Sequence, residues 1–220
     1  MAPQELWPPR FSAAIFDFDG TLSDTSGIWR QVDEAFLNSR GLPYEEDYPQ
    51  VMNALGFAAG AAYTIRRFGL TETVDEICDE WNRLGRALYE SQASLRPGAA
   101  RYLRELRSEG IPVGLATTNA PEVLLSMRRV RLHDLFDVVV TNREVMVPKS
   151  EPDIYLECAT RLGAAPAQTI VFEDIVPGTR AARGAGFLTC GVRCDDPTQE
   201  AAALRDAANL WLDDWCDIRL

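Results

Sequence analysis

Short apolar runs that end abruptly in polar residues recur along the chain at 12–20, 111–117, 136–141, 170–172 and 187–192, with a weaker one at 210–212. Runs this brief, bounded by carboxylates, hydroxyls and glycine, read as strands buried in a sheet, with their C-terminal ends facing a site. Between them, apolar positions return at helical spacing over 99–108, 121–130, 152–162 and 179–185. Strand alternating with helix predicts an α/β, doubly wound domain with a mostly parallel sheet, a Rossmann-like core.

One interval breaks the alternation. From 25 to 95 there is helical periodicity and no convincing strand: Ile28, Val32, Ala35 and Phe36 mark one helix, and Val74, Ile77, Cys78, Trp81, Leu84 and Leu88 another, with Thr71 as a candidate N-cap. The run Arg96-Pro97-Gly98 is a turn signal that closes the interval. The expected organisation is a Rossmann-like core of residues 1–24 and 96–220 carrying an inserted α-helical unit of residues 25–95.

Composition narrows the functional classes. The chain has 220 residues, 46% hydrophobic and 25% charged, which is ordinary for a globular protein. Its formal charge of -11 disfavours nucleic-acid polymers and anionic membranes as partners. A small anionic substrate stays open, because a metal ion and a few donors reverse the field locally. The first ten residues lack a basic start and an apolar stretch, so a cytoplasmic monomer or homodimer is expected. Five cysteines at scattered spacing suit reduced thiols, and Cys190 with Cys194 lacks the second ligand pair of a zinc site.

The sharpest chemical feature is Asp17-Phe18-Asp19-Gly20-Thr21. On an extended strand end, residues two apart point the same way, so both carboxylates address one centre. Clustered acids repel, which is sensible if a divalent cation is bound or if one of them holds a proton. Taken alone, the pair also reads as exposed acids in a turn, with Gly20 supplying an unusual conformation.

Asp17-x-Asp19-Gly20-Thr21-Leu22-x-Asp24 resembles the first signature of the haloacid dehalogenase superfamily. Three further stretches resemble the remaining signatures in order: Ala116-Thr117-Thr118-Asn119, then Lys149-Ser150-Glu151-Pro152-Asp153, then Glu173-Asp174 with the glycine-containing helix that follows. The resemblance implies a phosphatase acting on a small phosphorylated metabolite such as a sugar phosphate, phosphoglycolate or nucleotide. Asp17 is then the nucleophile that becomes an aspartyl phosphate, and Asp19 the general acid and base. Mg2+ is expected on the Asp17 carboxylate, the Asp19 carbonyl and the Asp174 carboxylate, with Glu173 in support. Lys149 and Thr117 are expected to stabilise the transferring phosphoryl group, and Gly20, Thr118 and Asn119 to contribute to its binding. Thr117 is preferred over Thr118 as the hydroxyl because the apolar strand ends there. Two departures are modest: Pro148 precedes the lysine where glycine is usual, and Ser150-Glu151 follows it.

An insert after the first signature resembles the helical cap of one large branch of the superfamily, where substrate choice resides. Asn53, Tyr63, Arg66 and Arg67 are the candidate contacts there, and each also reads as a solvated or packed position. Rival readings are a phosphosugar mutase of the β-phosphoglucomutase type, which shares all four signatures, and a catalytically silent regulatory module on the same fold. A phosphonate hydrolase would need a cap lysine, and residues 25–95 contain none. The second aspartate, Asp19, disfavours dehalogenation. His133, the single histidine, has no partner motif and is read as surface or packing.

Overall fold

The computed structural model describes residues 6–55, 57–141, 143–145 and 147–220. Six strands, β1 (Ala13–Phe16), β2 (Val113–Ala116), β3 (Val138–Val140), β4 (Thr169–Glu173), β5 (Leu188–Val192) and β6 (Leu210–Leu212), form one sheet in the order β3-β2-β1-β4-β5-β6. Every pairing is parallel. Strand order reverses direction at β1, which lies between β2 and β4. That is the switch point where the connections diverge and leave a crevice beyond the carboxyl ends.

Successive strand residues face opposite ways and so feed two cores. Ala14 and Phe16 of β1, with Ile170 and Phe172 of β4, pack on Tyr102, Leu103 and Leu106 of helix α5 (Ala99–Ser108) and on Trp215. The Phe16 and Phe172 rings stack at 4.6 Å. Ile15, Ala116, Val140 and Val171 turn the other way onto Ile154, Tyr155, Cys158 and Ala159 of α8 (Asp153–Leu162) and Ala182 of α9 (Val176–Gly184).

Residues between β1 and α5 form a separate helical layer: α1 (Ser26–Ser39), α2 (Tyr48–Leu55), α3 (Phe57–Phe68) and α4 (Val74–Gln92). They bury Val32, Phe36, Leu37, Tyr48, Ala61, Ile77 and Trp81 in a core of their own. The segments that enter and leave this layer run side by side. Ser23 bridges Leu95 in antiparallel fashion, the Ser23 hydroxyl donates to the Ser94 carbonyl at 2.7 Å, and the Arg96 amide donates to the Leu22 carbonyl at 2.8 Å.

Three details differ from the sequence reading. The N-cap of α4 is Thr73, not Thr71, because Thr73 and Glu76 form a reciprocal capping box. Residues 121–130 are not one helix: α6 (Pro121–Leu124) ends early, and a second short helix, α7 (Leu132–Leu135), follows. Val123, Leu124, Met127, Val130, Leu132 and Phe136 all reach the same core, and their uneven spacing is met by a bent chain rather than a helix face. Helix α10 (Ala201–Ala207) was not expected, since only Leu204 and Ala207 of its seven residues are buried.

Candidate active site

Parallel register brings the strand ends together. Phe16 pairs with Leu115 on one side and Phe172 on the other, so Asp17, Thr117, Glu173 and Asp174 emerge at one rim. Asp17 and Thr117 continue β1 and β2 with strand hydrogen bonds, their amides donating to the Phe172 carbonyl at 3.0 Å and the Val140 carbonyl at 3.1 Å. The backbone then turns sharply at Gly20, whose φ is +78°. A Cβ there would lie 2.0 Å from Asp174 Oδ2, so only glycine lets the two loops approach. The Arg96 guanidinium donates to the Gly20 carbonyl at 3.1 Å and holds this turn.

Lys149, the only lysine in the sequence, is buried between two acids. Its ammonium donates to Asp17 Oδ1 and, at 2.5 Å, to Glu173 Oε1. Glu173 is fully occupied: Oε1 also accepts from the Tyr155 hydroxyl at 2.7 Å, and Oε2 from the Asp174 and Ile175 amides at 3.0 and 3.2 Å. A Cβ at Gly178 would sit 2.5 Å from the Tyr155 hydroxyl and 2.9 Å from Glu173 Cδ, which accounts for the glycine in the fourth signature.

Asp17 Oδ2 is buried with no protein partner. Carboxylate oxygens of Asp17, Glu173 and Asp174 all lie within 4.8 Å of one another. One ammonium does not balance three such acids. Burial is the largest influence raising Asp17, to about 7; Lys149 opposes it, while Glu173 and Asp19 add to it. Burial likewise raises Asp174 well above the usual carboxylate range, reinforced by Asp17 and Glu173. For Lys149, burial favours the neutral amine, but the charges of Asp17 and Glu173 outweigh it and raise the group. An orphaned carboxylate oxygen, a second acid beside it and a surplus of negative charge fit a hard divalent cation with oxygen ligands. Asp17 Oδ2 and the Asp174 carboxylate are the protein atoms suited to hold it, and Glu173, its lone pairs spent, orients Lys149 and the loop.

Asp19 stands apart from that cluster and is held by three donors. Oδ1 accepts from the Thr25 and Tyr89 hydroxyls, and Oδ2 from the Asn119 amide group at 2.5 Å. Burial raises its pKa, and these hydrogen bonds pull the other way. Thr117 is fully buried and its hydroxyl oxygen accepts from the Asn119 amide at 3.2 Å, which leaves the Thr117 proton free to donate; Thr118 is exposed. Asn119, read from sequence as a phosphate ligand, donates its backbone N–H to Thr117 and its side-chain amide to Asp19 and Tyr89.

The cap candidates are placed differently. Arg67 is paired with Glu45 and Asp47 and donates to the Tyr63 hydroxyl, so its charge is already neutralised within the helical layer. Arg66 is exposed on α3, and the Asn53 side chain lies outside the described residues. His133 is at the surface beside Asp134. All five cysteines are free, with Cys190 inside the core. Sequence reasoning missed Thr25, Tyr89 and Tyr155 as members of the site. Thr25 follows the first signature directly and Tyr155 the third, but Tyr89 carries no local signal at all.

Acids, one lysine and a hydroxyl thus converge at the carboxyl rim of a parallel sheet, the arrangement of a hydrolase class. Residues 11–186 match the family model of the haloacid dehalogenase-like hydrolases, and the chain belongs to that family. A phosphorylated carbohydrates phosphatase of Thermotoga maritima is 30% identical over 176 residues, covering 80% of this chain and 82% of that protein. The β-phosphoglucomutase of Bacillus subtilis is 29% identical over 216 residues, covering 91% and 92%. Among solved structures, CbbY from Rhodobacter sphaeroides in complex with xylulose-1,5-bisphosphate has a TM-score of 0.83 at 23% identity, covering 96% of this chain and 100% of that one, a likeness of fold.

Proposed function

We propose that this protein is a Mg2+-dependent phosphatase that hydrolyses a small phosphorylated metabolite of the sugar-phosphate class through an aspartyl phosphate on Asp17. The observation that carries the reading is the state of Asp17 itself: one oxygen is tied to Lys149, and the other is buried without a partner beside Asp174. The cation would bind that oxygen and Asp174 and supply charge compensation for the incoming phosphoryl group. Asp17 attacks phosphorus; its new P–O bond forms as the ester P–O bond breaks, and the proton of Asp19 goes to the leaving oxygen. In the return half, Asp19 takes a proton from the water that attacks the aspartyl phosphate. Lys149 and the Thr117 hydroxyl face the phosphoryl oxygens, where donors are worth most as charge develops.

Sugar phosphates are favoured over other esters because the related Thermotoga maritima protein is a phosphorylated carbohydrates phosphatase. The Bacillus subtilis relative supports a second reading, a phosphosugar mutase on the same four signatures. A panel of sugar phosphates, nucleoside monophosphates and phosphoglycolate assayed with magnesium separates them. Free phosphate released from a sugar phosphate supports the phosphatase, isomerised sugar phosphate the mutase, and no turnover of any ester in the panel defeats both.

A further inference from the structure

Asp19 belongs to the core, yet two of its three donors lie in the 25–95 interval: Thr25, at the start of α1, and Tyr89, far along α4. Tyr89 lies near the C-terminal end of α4, is fully buried, and donates its hydroxyl to Asp19 Oδ1. Its oxygen accepts from Trp29 Nε1 of α1 at 3.1 Å and from Asn119 Nδ2 at 3.2 Å. Two cap helices thus converge on one phenol, and that phenol reaches across to the core. The rings of Trp29 and Tyr89 are 5.9 Å apart and those of Tyr89 and Phe18 6.3 Å, so the hydroxyl is aimed by packing on both sides. Gly85, one turn before Tyr89 on α4, leaves the space that the Trp29 ring occupies, since a Cβ there would meet that ring at 3.2 Å.

We propose that Tyr89, aimed by Trp29, is a positioning residue for Asp19 that fixes this carboxyl for proton transfer to the leaving group only while the cap rests on the core. Oδ1 takes two hydroxyl donors and Oδ2 one amide, so Oδ2 is the oxygen with capacity left to carry the transferred proton. Losing the Tyr89 donor leaves the carboxyl held by Thr25 and Asn119 alone and loosens its rotation about the Cβ–Cγ bond, and a misaligned acid protonates poorly. The bond that breaks is the ester P–O bond, and only a leaving alkoxide needs the proton as it departs. A stabilised phenolate does not. This inference rests on the phosphatase reading above.

The test compares kcat/KM, which reports phosphoryl transfer to the enzyme, for p-nitrobenzyl phosphate and p-nitrophenyl phosphate, two esters of similar shape with alkoxide and phenolate leaving groups. In Tyr89→Phe, which keeps the ring and removes the hydroxyl, the benzyl-to-phenyl ratio should fall about 10- to 100-fold, a share of the 10²–10⁴-fold a general acid supplies. Trp29→Phe, which removes the N–H that aims Tyr89, should move the ratio in the same direction by less. A ratio unchanged from wild type in folded Tyr89→Phe overturns the proposal, and should that variant fail to fold, an unchanged ratio in Trp29→Phe does so. Wild-type protein inert toward both esters and toward every sugar phosphate defeats the phosphatase reading itself; active wild type with an unchanged ratio defeats this inference alone.

Discussion

Removing the Lys149 ammonium would leave Asp17 and Glu173 buried without the counter-charge that both now contact. Breaking a buried pair from one side costs about 3–5 kcal/mol, because the partner charge stays behind. Lys149→Met should therefore lower the melting temperature as well as abolish turnover, and a denaturation curve matching wild type would contradict the role given to the lysine. Gly20→Ala makes a narrower statement. Its Cβ would collide with Asp174 Oδ2, and its positive φ costs an L-residue about 1–2 kcal/mol. The variant should lose magnesium-dependent activity by far more than its modest loss of stability would explain; unchanged activity at saturating magnesium would remove Asp174 from the metal site. Asp17, Asp19 and Asp174 stood out in sequence because each lies at or just beyond a strand end, and Lys149 because it sits in the third signature. Arg67 was misleading for a physical reason: its partners, Glu45 and Asp47, lie some twenty residues earlier, across a turn that periodicity does not reveal. Lys149 carried a signal that went unused, since no other lysine occurs in the chain.

At the scale of elements, α4 depends on its first turn. Thr73 accepts from the Glu76 amide at 3.2 Å, and the Glu76 carboxylate accepts from the Thr73 amide at 2.8 Å. Thr73→Ala should cost about 1 kcal/mol, read as a lower urea midpoint with an unchanged slope, and no cost would reassign the cap. On α1, burial raises Asp33 to about 7, with Glu34 adding to it. The folded chain then holds a proton that the unfolded chain releases near pH 4. The stability tied to it is full below that pH and is lost as pH rises through 7. Asp33→Asn should therefore stabilise the protein at pH 8 and have little effect at pH 4; equal effects at both would contradict the burial of this carboxyl. Periodicity marked α1 and α4, whose apolar stripes face each other. It did not mark α2 and α3, which pack around small residues such as Ala61, nor the bent segment after Pro121.

For the whole molecule, the mostly parallel sheet was legible in the apolar runs, because strands buried on both faces cannot hide among polar residues; the strand order came from the structure. The meeting of α4 and β1's outgoing loop at Asp19 was not legible, since it depends on how a helix lies over the sheet and not on any residue's neighbours in sequence. A cation that binds only the folded chain stabilises it by about 2.7 kcal/mol at a hundredfold excess over its dissociation constant. Magnesium should accordingly raise the melting temperature of wild type, and chelation should reverse the rise; the same titration of Asp174→Asn should give a much smaller shift. The most direct measurement is mass spectrometry of protein acid-quenched during turnover of a sugar phosphate with magnesium. The expected result is one phosphoryl group on the peptide bearing Asp17, absent after chelation and absent in Asp17→Asn, which should be inactive yet folded. Turnover at the wild-type rate in Asp17→Asn would contradict it.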